Sequence, residues 1–202
     1  MRTLIPLFAL SLCAAVAIGC TRFQAPEFSD SSPNSLASDA RSSQIVSLQI
    51  GQQPGAFQVE DVTGPAAGEF LCYRCKYSGK PTVVIFAREV NDSVTSLVQQ
   101  IDRKVAENSD KKLSAFMVVV GENTDEIKPM LQRVQVAQHI KNTPLTVFND
   151  KAGPAGYDLD PTTQIQVMMW NDDGLKVNKP LSPHLSKEEI SEIVSQTSEI
   201  LN

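Results

Sequence analysis

Two of the four cysteines, Cys72 and Cys75, stand three residues apart in Leu71-Cys72-Tyr73-Arg74-Cys75-Lys76, just ahead of Gly79-Lys80-Pro81 and the apolar run Thr82–Ala87. Thiols at this spacing can cycle as a redox dithiol, form a permanent disulfide, or supply half of a metal site. Arg74 and Lys76 flank the sulfurs, and positive charge favours a thiolate, so Arg74 is the expected electrostatic support. A metal would need two further ligands. The only histidines are His139 and His184, which read as surface residues, so no metal set is expected. Haem attachment through C-x-x-C-H is excluded because position 76 is Lys. An inert staple is the competing reading. A ring this small contributes only about 2 kcal/mol by chain entropy, against about 3 for a 15-residue loop, so stability alone is a poor reason for it. Redox pair and permanent disulfide both stay open. Tyr73 and Tyr77 are expected to cover the pair. The chain shows no Ser/His/Asp constellation, phosphate loop or nucleotide fingerprint, and no cofactor is expected.

The elements that must position the pair are read from periodicity. Ile45–Ile50 and Phe57–Val62 alternate apolar and polar residues, as half-buried strands do. Thr82–Ala87 and Leu113–Val120 are continuous apolar runs, the pattern of strands covered on both faces. Between them, Val94, Leu97, Val98, Ile101 and Val105 fall at helical spacing behind a cap at Asn91 or Asp92. A second helix is expected over 124–140, with Pro129 tolerable only in its first turn. Pro144–Phe148 reads as a short strand. Asn171-Asp172-Asp173-Gly174 is a hairpin turn between Ile165–Trp170 and Leu175–Val177, and the Met168-Met169-Trp170 run is expected in the core. Ser186 with Glu189 opens a last helix through a capping box. Buried strands alternating with helices imply an α/β domain with a mixed sheet.

The first 44 residues read differently. Arg2 and then a mostly apolar stretch from Leu4 to Ile18 form the n- and h-regions of a secretory signal, too short to span a bilayer comfortably. The stretch ends Ala17-Ile18-Gly19-Cys20, which resembles a bacterial lipobox. That resemblance implies a lipoprotein signal peptide over 1–19, lipid on Cys20, and a lipid-anchored, extracytoplasmic place in the cell envelope, the membrane being one partner. Residues 20–44, rich in serine, cannot bury enough surface to offset their ordering entropy and read as a flexible tether. Residues 45–202 remain for one domain. With a net charge of −5 and no basic run, nucleic acid is excluded as a partner.

The order of elements, with Phe57-Gln58-Val59-Glu60-Asp61-Val62-Thr63-Gly64 leading to Gly79-Lys80-Pro81 and a strand ending Phe86-Ala87, resembles the thioredoxin-like fold. It is most similar to the peroxiredoxin and TlpA-type branch. Pro144–Asp150, Ala155-Gly156-Tyr157 and Trp170–Gly174 resemble that branch's later motifs. The resemblance implies a central mixed β-sheet flanked by helices, a cis-proline at Pro144 or Pro161, and a thiol or disulfide partner protein. It further implies an attacking role for Cys72 and a resolving role for Cys75. It also carries a departure. The branch keeps its redox cysteines just past the central strand, where residues 88–94 here hold none, so peroxidase chemistry is not expected. The C-x-x-C precedes that strand, and it is expected at the sheet edge near the start of Thr82–Ala87, away from Asn91. The two functional expectations are an envelope-anchored thiol–disulfide oxidoreductase and a non-catalytic module with a permanent Cys72–Cys75 disulfide.

Overall fold

The structure is a computed structural model and describes residues 48–201. The signal, Cys20 and the tether lie outside the described residues. Seven strands form one mixed sheet in the order β2-β1-β5-β4-β3-β6-β7. They are β1 Val59–Asp61, β2 Phe70–Leu71, β3 Thr82–Ala87, β4 Ser114–Val120, β5 Leu145–Phe148, β6 Ile165–Asn171 and β7 Gly174–Leu181. The helices are α1 Tyr73–Lys76, α2 Asp92–Glu107, α3 Lys128–Ala137 and α4 Lys187–Ser195.

The three parallel strands β3, β4 and β5 stand side by side in sequence order. Crossovers between parallel strands are right-handed, and two taken in the same direction put both helices on one face. α2 and α3 do lie together there, and α4 joins them in a single apolar cluster with Ile85, Met117 and Val167. The opposite face carries the aromatics Phe86, Phe116 and Trp170 and receives no long helix. It is closed by α1 and by loop residues, Leu48, Tyr157 and Leu159 among them.

Local rules hold at most element ends. Asn91 Oδ1 accepts from the Val94 N–H at 3.0 Å, capping α2. Ser186 and Glu189 form the capping box of α4. Pro129 falls in the first turn of α3, where a missing N–H leaves no intrahelical bond unmade. Residues 124–126 form a separate 3-10 turn, so α3 is shorter than the periodicity suggested. Gly174, with φ +107°, closes the β6–β7 hairpin where any Cβ would collide with the Gly51 carbonyl. Met168, Met169 and Trp170 are core residues of β6.

Two expectations need correction. The residues 48–50 of the expected first strand are not extended in the sheet. Gly51 and Gln52 instead meet Leu175, through Gly51 N–H to Leu175 O at 2.8 Å and Leu175 N–H to Gln52 O at 2.9 Å. Conversely, the stretch leading through the C-x-x-C, to which periodicity assigned no element, contains both β2 and α1. Neither is long enough to show a period.

Candidate functional site

The site is built on the β1–β2 hairpin. Asp61 pairs with Thr146 of β5, so β1 is fixed against the parallel core, and Phe70 pairs with Glu60 to add β2 outside it. Following the register across the sheet, Phe70 lies level with Glu60, Val147, Val119 and Ala87. The chain therefore leaves β2 at the level of the C-terminal end of β3. β2 is four strand spacings from β3, roughly 19 Å. From there residues 72–81 cross the aromatic face to the start of β3, where Ser114 N–H meets Pro81 O at 2.9 Å. The expected position at the sheet edge agrees with β2, and Arg74, between the cysteines, lines one pocket with Trp170, which pairs with Thr82 at the start of β3. β2 and a helical turn carry the segment across the sheet.

Cys72 and Cys75 form a disulfide, with Cα atoms 5.2 Å apart. Cys72 is the N-cap of α1, and its Sγ accepts from the Cys75 N–H at 3.0 Å. A helical turn places residues i and i+3 on neighbouring positions, so the four-residue α1 is what brings the two sulfurs together. Cys75 is exposed and Cys72 half-buried. Arg74 Nε donates to Pro54 O at 2.8 Å. The Lys76 ammonium stands 5.5 Å from the centroid of the Tyr73 ring.

Tyr73 does not cover the disulfide. It lies beneath it, 1% exposed, its ring stacked on Phe116 at 5.5 Å. Its hydroxyl donates to Asp61 Oδ2 at 2.7 Å. Asp61 is fully buried and also accepts from the Gly64 N–H at 2.7 Å and the Ala66 N–H at 2.9 Å. Burial first, and then the Asp61 hydrogen bond and charge, push the Tyr73 phenol well above its ordinary range. Burial, with the Asp61 charge second, pushes Tyr77 up to about 12. Gly64 is required because a Cβ there would overlap the Tyr73 hydroxyl and both Asp61 oxygens. Sequence reading passed over this buried pair. Its signal was present: strand alternation puts Asp61 on the same face as Phe57 and Val59, an acid in an apolar row.

The C-terminal end of β3 is closed by Arg88. Its Nε donates to Thr163 O at 3.1 Å, and its two terminal nitrogens donate to Lys151 O at 2.7 Å and Asp160 O at 3.2 Å. Of the two prolines, Pro161 lies in this same loop before β6, while Pro144 leads into β5 at the other end of the parallel strands. His139 and His184 are exposed, and no group of three or more metal-ligating side chains is found among the described residues.

A parallel β3-β4-β5 core, an antiparallel β6-β7 hairpin beside β3, a closing helix and a C-x-x-C disulfide together decide the architecture. The fold is thioredoxin-like. Among solved thioredoxin-like structures, the chain is similar to a secreted Mycobacterium tuberculosis disulfide oxidoreductase homologous to E. coli DsbE, with TM-score 0.54 and 12% identity over 71% of this chain and 96% of that one. A candidate thiol:disulfide interchange protein DsbE of Chlorobium tepidum gives TM-score 0.56 and 13% identity over 77% and 100% of the two chains. Peroxiredoxin 6 of Arenicola marina gives TM-score 0.56 and 13% identity over 75% and 72%. No protein-family model matches the sequence, and no curated protein matches it. In this thioredoxin-like chain the disulfide belongs to the segment before β3, and the end of β3 itself holds an arginine latch.

Proposed function

We propose that this protein exchanges its Cys72–Cys75 disulfide with the thiols of a partner protein, from an extracytoplasmic position to which lipid on Cys20 anchors it. The observation that carries the reading is the asymmetry of the two cysteines, Cys75 an exposed residue and Cys72 a half-buried helix cap whose Sγ already accepts an N–H. A partner thiolate attacks Cys75 Sγ. The S–S bond breaks and its electron pair goes to Cys72 Sγ, where the Cys75 N–H stabilises the new thiolate. The partner's second thiolate then attacks its own sulfur in the mixed disulfide and expels Cys75. The partner leaves oxidised, and Cys72 and Cys75 take up the two protons its thiols gave up. Sequence resemblance gave Cys72 the attacking role. The exposure order gives first contact to Cys75 and leaves Cys72 the stabilised thiolate.

The test is equilibration with a glutathione buffer, followed by counting free thiols. A reduction potential near about −200 mV is expected, and one below about −300 mV refutes exchange as the function. Loss of turnover with a small-molecule disulfide in both Cys72→Ser and Cys75→Ser is the companion result. Equal inactivity of wild type and Cys72→Ser counts against the reading. Tyr73 favours a second reading, a permanent clasp. It lies between the two cysteines and is held by Asp61, so the disulfide would serve to keep that ring in place. The clasp predicts the lower potential.

A further inference from the structure

The two edges of the sheet are defended unequally. At the outer edge of β7, Leu175 is bonded to residues 51 and 52, and Lys176, Lys179 and Pro180 follow. Charges and proline on an edge strand oppose further pairing. β2 has neither. Antiparallel partners alternate between pairs that exchange hydrogen bonds and pairs that do not. Asp61 N–H donates to Glu69 O, so the next bonded pair is Val59 with Leu71, and Phe70 falls between them. The Phe70 N–H and C=O therefore point away from β1, to the open edge. Its side chain is 69% exposed, one of three large apolar side chains so exposed among the described residues. Two residues further on is Cys72.

Along residues 71–81 the charge is of one sign, with buried Asp61 beneath and Asp172 lining a pocket with Arg74 and Lys80. Arg74, Lys76 and Lys80 fall within seven residues, residues 71–81 include no acid, and none of the three cations has a carboxylate partner among the described residues. Lys76 and Lys80 rest instead over the Tyr73 and Tyr77 rings at 5.5 and 5.7 Å.

We propose that the open edge of β2 receives the partner: an extended, acidic, cysteine-bearing polypeptide segment that pairs with Phe70 as an eighth strand beside Cys75. Main-chain hydrogen bonds hold such a segment, and alternate side chains read the two faces of the edge. One set meets the Phe70 ring. The other lies on the α1 side, where a cysteine approaches the disulfide and neighbouring carboxylates meet the unpaired cations. The inference rests on the thiol-exchange reading and names its substrate class.

The probe is a fluorescent nine-residue peptide of alternating valine and glutamate with serine in place of its cysteine, so that binding is measured without exchange. Saturating peptide is expected to slow hydrogen exchange of the Phe70 amide at least tenfold, and Phe70→Lys to weaken binding at least tenfold. The same peptide with lysine for glutamate is expected to bind at least tenfold more weakly. An unprotected Phe70 amide, or binding indifferent to Phe70→Lys, overturns the proposal. So does a Phe70 amide already protected in the free chain, which means the chain covers its own edge. A dimer that Phe70→Lys dissolves overturns it too, the occupant then being a second copy. Exchange and docking separate cleanly: peptide binding without reactivity of the cysteine version refutes thiol exchange and leaves the β2 surface standing.

Discussion

Tyr73→Phe isolates the buried hydrogen bond under the disulfide. The substitution keeps the ring that stacks on Phe116 and removes only the hydroxyl that reaches Asp61 Oδ2 at 2.7 Å. Apolar burial is thus unchanged, and the loss is one hydrogen bond to a carboxylate with no solvent access. Bonds to charged groups contribute about 1.5–3 kcal/mol. The Gly64 and Ala66 N–H groups remain on the carboxylate, so the low-to-middle part of that range applies, about 2 kcal/mol. For a domain of this size each kcal/mol moves Tm by about 2–4 °C, so a fall of roughly 4–8 °C is expected. Urea denaturation of wild type, Tyr73→Phe, Asp61→Asn and the double variant measures the coupling directly. A cost below about 0.5 kcal/mol, or the same cost with and without Asp61, would refute the account.

Gly64→Ala should destabilise by about 1–3 kcal/mol through overpacking against the same pair, read from a lower urea midpoint. Arg88→Lys should lose about 1.5–3 kcal/mol in the same assay, because an ammonium cannot reach three carbonyls spread along the β5–β6 loop with a guanidinium's fork. Asn91→Ala should cost about 1 kcal/mol by uncapping α2, with Asn91→Asp or Asn91→Ser recovering most of it. Tyr77 is neutral when protonated and its folded pKa, about 12, lies above the ordinary 10, so its contribution is whole below pH 10 and lost as pH rises through about 12. Phenolate absorbance should therefore stay low at pH 10–11 while the fold persists. A full tyrosine titration near pH 10 in folded protein is the contrary result.

The central elements were legible because their residues repeat a period long enough to read. Thr82–Ala87 is β3 residue for residue, Asn91 caps α2, and Ser186 with Glu189 opens α4. The thioredoxin-like order followed from those elements. The site was less legible. β2 has two residues and α1 four, so neither shows a period, and their existence depends on β5 and Phe116, residues more than 40 positions away. Tyr73 looked like a surface neighbour of the sulfurs because nothing local says that a one-turn helix will turn its ring inward. Arg88 gave no local signal either, since its three acceptors are main-chain oxygens of a loop more than sixty residues later. Asp61 could have been found. Parity with Phe57 and Val59 marks an acid that must be satisfied if the strand is buried.

The pairing of β1 with β5 also bears on the order in which this chain acquires its structure. Asp61 meets Thr146, 85 residues further along (146 − 61), so the hairpin beneath the sulfurs has no platform until β5 has arrived. The ring joining Cys72 to Cys75 spans a single helical turn. Long-range pairing is the slow part of folding, and short loops close in well under a microsecond. The two thiols are three residues apart, and Tyr73, twelve residues from Asp61, reaches its partner within the same hairpin. Disulfide chemistry takes seconds to hours, so contact of the thiols and closure of their bond are separate events in time.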